Sequence, residues 1–267
     1  MNQRKDNQQF LTLMSIGSIA LAVLCLFTPV PTLADDKAQK EDQRVTESGQ
    51  ALDALVNSES GIPTDLLNKS ECVIILPSVK KGGFIIAGQY GKGLMTCRTG
   101  KNFTGPWSAP IMMQSSGGSI GFQAGGEAVD YVILVLNDKG ARTVMNGKAK
   151  LGADASIAAG PVGREAEAST TGNMSTEMLS YSRTNGVFGG VSLSGTSLGP
   201  DNGANENLYG KKVTGEQIWA GQVQAPAAAK NLLATLTAQQ PFGRQAVTAG
   251  SLRFIPGGCN KGTPGVL

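Results

Sequence analysis

The sequence predicts an α+β protein in which N-terminal helices precede a glycine-rich antiparallel β core and C-terminal helices follow it. Apolar residues recur at helical spacing from Val45 to Val56, and short apolar runs punctuated by glycine begin at residue 72. Helix-start signals then return after residue 213. The predicted order is therefore α, then mostly antiparallel β, then α.

The first 34 residues have the pattern of a secretory signal peptide. Two basic residues precede an apolar run from Leu11 to Val30, and Ala34 is a small residue of the kind that a signal peptidase accepts. We expect cleavage after Ala34 and a periplasmic or secreted protein. Residues 35–44 are then expected to form a charged, mobile leader.

Two helices are predicted to open the folded part. The first spans Val45–Val56 and ends near Gly61, and a short second helix runs from Pro63 through Leu67. The apolar face of the first helix is compatible with docking on the domain's own core or with insertion into a membrane interface. The sequence leaves both possibilities open.

The β core contains two strongly apolar runs. CVIILP, at residues 72–77, indicates a short buried strand, and YVILVLN, at residues 131–137, is typical of a central strand. The remaining predicted elements are strands at 84–98 and 107–113, a hairpin of 148–159 and 164–170 around 160–163, two strands within 180–198, a capped helix Thr214–Trp219 and a helix from Pro226 to about Gln239. The stretch LGADASIAAG within the predicted hairpin has small side chains on both faces, which indicates close packing or, alternatively, a ligand surface.

Composition and charge narrow the possible functions. The chain has 23 Lys and Arg against 20 Asp and Glu and no histidine. A nearly balanced charge does not indicate a nucleic-acid partner, and the absence of histidine removes the most common general base and metal ligand. An enzyme would have to rely on a Ser-Lys pair or on carboxylates such as Asp154, Glu165 and Glu167, and an ordinary solvated sheet face explains these carboxylates better.

Three cysteines remain after the predicted cleavage: Cys72, Cys97 and Cys259. An oxidising compartment permits disulfides. The odd number is compatible with one disulfide and one free thiol, or with none.

A cluster of basic residues is the candidate binding site. Lys80 and Lys81 are predicted to lie in a turn before Gly82 and Gly83, with Lys92 in the paired strand. A glycine-backed turn lets lysines approach a flat anionic surface, where each contributes about 1 kcal/mol. A solvated turn without a ligand is the alternative.

Several motifs occur together in this chain, among them CVIILPSVKKGGFIIAGQYGKG, SIGFQAGGEAVDYVILVLND, LGADASIAAGPVGREAEAS and VTGEQIWAG. In this order they resemble the SYLF-domain family, from about Val45 to Leu236. The resemblance implies a lipid-binding module without an established catalytic site, spanning residues 45–240, with 241–267 as a tail. Eukaryotic members bind phosphoinositides and are associated with actin patches and membrane remodelling, and many bacterial members are exported.

The expected function is therefore that of an exported, non-enzymatic protein that binds anionic phospholipid or phosphoinositide-like head groups at a membrane surface. The predicted lipid contacts are Lys80, Lys81, Lys92 and Arg164, and the motif residues are Gly82, Gly83, Gly160, Pro161 and Gly163. The alternative is a protein-interaction or envelope-structural module with a protein partner. Neither hypothesis includes a nucleic acid, a metal ion or a cofactor.

Overall fold

The computed structural model describes residues 33–58, 61–83, 86–120, 125–147, 149–162, 176–184, 187–190, 193 and 195–239. The helices are α1 Leu33–Val56, α2 Thr64–Lys69, α3 Asp138–Met145, α4 Asn202–Tyr209, α5 Gly215–Trp219 and α6 Lys230–Ala238. The strands are β1 Cys72–Gly83, β2 Ile86–Cys97, β3 Ile111–Ile120, β4 Gly125–Val135, β5 Ala149–Lys150, β6 Ile157–Ala159, β7 Met178–Thr184, β8 Val187–Gly190 and β9 Thr196–Pro200. This order confirms the predicted α+β class.

One sheet contains all of these strands. Its order is β5-β9-β3-β2-β1-β4-β7-β6, and β8 pairs with the remaining part of β7. Neighbouring strands are antiparallel except for β6 and β7, which are parallel. The two strands predicted from their apolar runs, β1 and β4, are adjacent in the middle of the sheet.

The sheet is strongly curled. Lys150 ends the strand at one edge, and Ile157 begins the strand at the other edge. The seven residue steps between them span at most about 25 Å, whereas eight flat strands would extend over about 34 Å. The two edges must therefore approach each other, which gives the sheet an inner and an outer face.

Both faces of the sheet are buried, in separate apolar clusters. In β1, Cys72, Ile74 and Leu76 belong to the inner cluster, and Val73 and Ile75 belong to the outer cluster. Residues of α3 and α5 complete the inner cluster, whereas α1, α2, α4 and α6 cover the outer face. Burial on both faces explains why this strand is continuously apolar.

A β-bulge in β1 determines the direction in which its lysines point. The register with β4 shifts between Leu76 and Val79, although both side chains belong to the inner cluster. Between these positions β1 has one residue more than β4. The bulge contains Ser78, whose φ is 50°. Beyond the bulge, Lys80 lies on the outer face beside α1, and Lys81 lies over the ring of an inner-face tyrosine.

The first helix begins earlier than the sequence predicted. It starts at Leu33 instead of Val45, so residues 35–44 continue the helix and do not form a mobile leader. Asp35 and Asp36 lie in its first turn, where negative charge favours the helix dipole. Ala, Lys, Gln and Glu in this segment are good helix formers. The apolar-periodicity criterion missed this part because its residues are mostly charged.

Helix α1 is docked on the sheet. Val45, Leu52 and Leu55 are buried in the outer cluster together with residues of α6. Of the two possibilities left open by the sequence, the structure shows docking on the core. None of the described helices combines the length and apolar character needed to cross a bilayer.

The predicted hairpin around residues 160–163 is wrong in its first arm. Residues 149–150 pair with β9, whereas 157–159 pair in parallel with β7 at the opposite edge of the sheet. A turn over residues 152–154 separates the two, with Gly152 at a φ of 87°. Small residues are compatible with a strand or a turn, so their alternation did not reveal the break. The second arm, 164–170, lies outside the described residues.

Close packing explains the glycine at position 160. A Cβ atom there would lie 2.2 Å from Cζ of Tyr181. Tyr181 is buried beneath this segment, and burial raises the pKa of its hydroxyl. The close-packing interpretation therefore holds for Gly160.

A disulfide joins Cys72, at the start of β1, to Cys97, at the end of β2. The two residues are direct partners in the strand register, and both lie in the inner cluster. The sequence had left this pairing open. Cys259 lies outside the described residues.

The predicted capping box at the start of α5 is confirmed. The Thr214 side chain accepts a hydrogen bond from the Gln217 N–H, and the Gln217 side chain accepts one from the Thr214 N–H. The final helix also matches its prediction from the sequence. Pro226 precedes a short 3-10 turn that continues into α6.

Candidate functional site: a basic cleft

An open cleft of about 410 Å³ lies between α1 and the outer face of the sheet. We call it the basic cleft. Its lining comes from three elements: Lys40, Glu41 and Arg44 of α1, Pro77, Ser78 and Lys80 of β1, and Tyr90, Gly91 and Lys92 of β2.

Local structure explains how these side chains meet. Lys40 and Arg44 are four residues apart in α1 and therefore share one helix face. In the sheet, Lys80 is the direct register partner of Tyr90, so the two lie side by side. The bulge that turns Lys80 outward thus brings it to the face that α1 covers.

Glycine in β2 allows this strand to follow the bulge. A Cβ atom at Gly93 would lie 2.0 Å from the carbonyl oxygen of Ile75, and one at Gly91 would lie 2.5 Å from Cγ2 of Val79. Any larger residue would push β2 away from β1. The two glycines therefore hold Lys92, which lies between them, at the wall of the cleft.

Two of the cleft's cations are already paired with carboxylates. Arg44 forms an ion pair with Glu41. The Lys92 Nζ lies 2.6 Å from Oδ2 of Asp201, the residue that precedes α4. The second oxygen of Asp201 accepts a hydrogen bond from the Ala204 N–H at 3.0 Å and caps that helix. Arg44, Glu41 and Lys92 line the cleft, and Asp201 contacts Lys92 from outside the lining.

The pKa shifts reflect this arrangement. Burial favours the neutral form of Asp201, but hydrogen bonds from Lys92 and Ala204 and the charges of Lys92 and Arg44 outweigh it, so the pKa of Asp201 lies below its ordinary value. Burial lowers the pKa of Arg44, against the opposing effects of Asp201 and other neighbours. Asp201 is therefore held as an anion between two cations.

The rim of the cleft has a different character. The side chains of Lys40 and Lys80 are exposed, and no described carboxylate lies within 4.0 Å of either ammonium group. Tyr90, the register partner of Lys80, lines the same cleft and is 51% exposed. Two uncompensated lysines and an accessible aromatic ring thus face solvent together.

The arrangement suits reversible binding of an anion. Four basic side chains and two carboxylates leave the cleft with a net charge of about +2. Lysine and arginine donate hydrogen bonds and accept none, so they match the oxygens of a phosphate group. The two ion pairs hold Arg44 and Lys92 in place, and the two exposed lysines are available to a ligand.

The predicted site residues have different positions in the structure. Lys80 and Lys92 meet in the basic cleft. Lys81 does not join them, because its Nζ lies 5.1 Å from the centre of the Tyr131 ring on the inner face. Arg164 lies outside the described residues.

The predicted lysine-glycine turn is instead part of a strand. β1 continues to Gly83, and Gly82 pairs with glycines on both sides, at positions 88 and 126. Because all three positions are glycine, no side chains meet there, and the strands can remain paired to their ends. Of the other predicted motif residues, Gly160 and Pro161 follow β6, whereas Gly163 lies outside the described residues.

The sequence interpretation missed five charged or aromatic residues at the site: Lys40, Glu41, Arg44, Tyr90 and Asp201. Lys37, Lys40 and Arg44 do recur at helical spacing, so a basic stripe on α1 could have been found if the helix had been extended to residue 33. Asp201 offered no such signal, because its contact with Lys92 spans 109 residues.

Of the three carboxylates considered for catalysis, the structure describes Asp154 alone. Asp154 is exposed, and its Oδ2 accepts a hydrogen bond from the Lys150 N–H at 2.7 Å, which is the role of a turn residue. Glu165 and Glu167 lie outside the described residues. Among the residues described, no cluster of three potential metal ligands is found.

Comparison with known proteins identifies relatives over most of the chain. The family described as "Ysc84: Las17-binding protein actin regulator" matches residues 116–239. An SH3 domain-containing protein, PJ696.02, of Schizosaccharomyces pombe is 35% identical over 218 residues, which cover 80% of this chain and 49% of that protein. Protein YSC84 of Saccharomyces cerevisiae is 31% identical over 212 residues, 78% of this chain and 44% of that protein.

A human relative extends the comparison. The SH3 domain-containing YSC84-like protein 1 of Homo sapiens is 29% identical over 209 residues, 76% of this chain and 58% of that protein. The chain spans about half the length of the curated relatives that it matches. Together with the order of its motifs, these matches show that the chain belongs to the SYLF-domain family, also called the Ysc84 family.

Proposed function

We propose that this protein binds anionic phospholipid head groups at a membrane surface through the basic cleft. The convergence of Lys40 and Lys80 on one rim carries the proposal. They come from different elements, have no described carboxylate partner, and line the same cleft as the exposed ring of Tyr90. Tyrosine is enriched where a protein meets the head-group region of a membrane.

The expected affinity is modest and sensitive to salt. Each basic residue near an anionic surface contributes about 1 kcal/mol, so the two rim lysines favour an anionic over a neutral membrane by about 30-fold. Exposed charges are screened within about 10 Å at 0.1 M salt. Binding that depends on these residues must weaken as salt is added.

We further propose that the protein acts outside the cytoplasm, in the periplasm or after secretion. Two observations support this location. Residues 1–34 have the order of a signal peptide, and the Cys72–Cys97 disulfide is of a kind that persists in oxidising compartments. For this reason the proposed ligand is anionic phospholipid in general, and a phosphoinositide is a special case of it.

A protein-interaction module is the second candidate function. Its support is the description of the matched family as Las17-binding and the name of a relative, LAS seventeen-binding protein 3 of Saccharomyces cerevisiae. That relative is about twice as long as the matched segment, which covers 45% of it. This candidate predicts capture of a defined protein and no dependence on lipid charge.

Flotation with liposomes tests the leading proposal. The purified protein without residues 1–34 is mixed with neutral phosphatidylcholine vesicles or with vesicles that also contain phosphatidylglycerol, at low and high salt. We expect flotation only with the anionic vesicles, and less of it at high salt. Equal flotation with both vesicle types, or none with either, would contradict the proposal.

A matched pair of variants assigns binding to the cleft. Lys40→Glu with Lys80→Glu reverses both rim charges and should abolish flotation. The control, Lys101→Glu with Lys211→Glu, makes the same change in net charge at two exposed lysines outside the cleft lining. If both pairs reduced flotation equally, the overall charge of the protein would be responsible and the cleft would not be the site.

A further inference from the structure

Asp201 has two structural roles next to the basic cleft. Its Oδ2 lies 2.6 Å from the Lys92 Nζ, and its Oδ1 accepts the Ala204 N–H at 3.0 Å. The Asp201 side chain is only 13% exposed, whereas that of Lys92 is 33% exposed. The carboxylate therefore lies behind the lysine, which itself faces the cleft.

The position of this carboxylate limits what the cleft offers to a ligand. Lys92 lines the cleft and is accessible, but its charge is compensated by a partner that a phosphate group would have to displace or share. The Asp201 charge also acts on Arg44, which lines the same cleft. Without this carboxylate a third cation would be available beside Lys40 and Lys80.

We propose that Asp201 is an internal counter-ion that restrains the affinity of the basic cleft for phosphate-bearing head groups. This inference rests on the proposed binding of anionic phospholipid at the same cleft. Its consequence is a gain of function: removing one negative charge from the protein should strengthen binding through Lys92.

The capping role of Asp201 can be kept while its charge is removed. Asparagine is as good an N-cap as aspartate, and its Oδ1 can still accept the Ala204 N–H. Asp201→Asn therefore leaves α4 capped and changes mainly the charge next to Lys92. A matched control is Asp154→Asn, since Asp154 is an exposed aspartate that also accepts a main-chain hydrogen bond and lies outside the cleft.

The experiment measures binding of wild type and the two variants to phosphatidylcholine vesicles that contain phosphatidylglycerol, across a series of salt concentrations. In the Asp201→Asn variant Lys92 has no carboxylate partner and becomes a third available cation. We therefore expect this variant to bind the anionic vesicles about five-fold more tightly than wild type at low salt. Its salt dependence should also be steeper, and Asp154→Asn should resemble wild type. Adding Lys92→Gln to Asp201→Asn should remove the gain.

The outcomes separate the inference from the function on which it rests. If wild type binds the anionic vesicles and a folded Asp201→Asn variant binds no better, the restraining role is overturned and the proposed function stands. A gain that persists in the variant with Lys92→Gln also overturns it, because the effect would not act through Lys92. If neither wild type nor Asp201→Asn binds, the proposed function fails and this inference fails with it.

Discussion

The outer and inner faces of the sheet use adjacent lysines for different purposes. On the outer face, Lys80 is exposed at the rim of the basic cleft beside Tyr90. On the inner face, Lys81 lies over the ring of Tyr131, which is 1% exposed. One residue step along a strand therefore separates a position open to a ligand from a position that contributes to packing.

This difference shows that adjacency in sequence is a poor guide to a shared surface in a strand. Successive strand residues point to opposite faces, and the bulge at Ser78 determines which lysine points outward. We therefore expect changes on the outer face to alter binding and changes on the inner face to alter stability. The predictions below test this separation.

Removing the disulfide should have the largest effect, and it should fall on stability. Cys72 and Cys97 are separated by 25 positions in the sequence, and cross-linking a loop of this length stabilises the folded state by about 3.5 kcal/mol in the chain-entropy estimate. Substitution of both residues by alanine should lower the free energy of unfolding by this order in urea titrations. Binding of the folded variant to anionic vesicles should be unchanged, and its loss would contradict the separation of the two faces.

Neutralising Lys80 should weaken binding without affecting stability. Lys80→Gln removes one uncompensated charge from the rim, and we expect about a five-fold loss of affinity for anionic vesicles at low salt. The free energy of unfolding should remain within about 0.5 kcal/mol of wild type, as is usual for an exposed substitution. Vesicle titrations and urea unfolding measure the two quantities. Lys101→Gln, at an exposed position outside the cleft lining, serves as the control.

The same substitution one residue later should have the opposite pattern. Lys81→Gln removes a cation–π contact with Tyr131 and should cost about 0.5–1 kcal/mol of stability. Affinity for anionic vesicles should not change, because the side chain lies on the other face of the sheet. If Lys81→Gln weakened binding as much as Lys80→Gln, the lysine pair would act as one patch and the comparison of the two faces would be wrong.

Much of the fold could be predicted because burial leaves a clear record in the sequence. The apolar runs of β1 and β4 identified the centre of the sheet, and the Thr214–Gln217 capping box located a helix start. The curl of the sheet could not be predicted in this way. It depends on the chain crossing from one sheet edge to the other between Lys150 and Ile157, where small residues carry no periodic signal.

The candidate site could be predicted only in part, because it is assembled from distant segments. Lys80 and Lys92 were identified from their charge and their paired strands. Lys40 was missed because its segment has little apolar periodicity, and Asp201 because a contact across 109 residues leaves no local pattern. Prediction of the whole site therefore required the start of α1 and the position of the bulge in β1.

The smallest expected effect concerns the acid side of the pH profile and tests the outer-face pair of Lys92 and Asp201. The pKa of Asp201 in the folded protein lies below the ordinary value of 3.8, so the folded state holds this proton less tightly than the unfolded state. The stability that the charged carboxylate contributes is present above pH 3.8 and is lost as the pH falls through the lower, folded-state pKa. Urea unfolding from pH 6 to pH 2 should show this loss in wild type and not in Asp201→Asn, so the stability difference between the two proteins should shrink toward low pH. A difference that stayed constant would mean that the negative charge of Asp201 does not stabilise the fold.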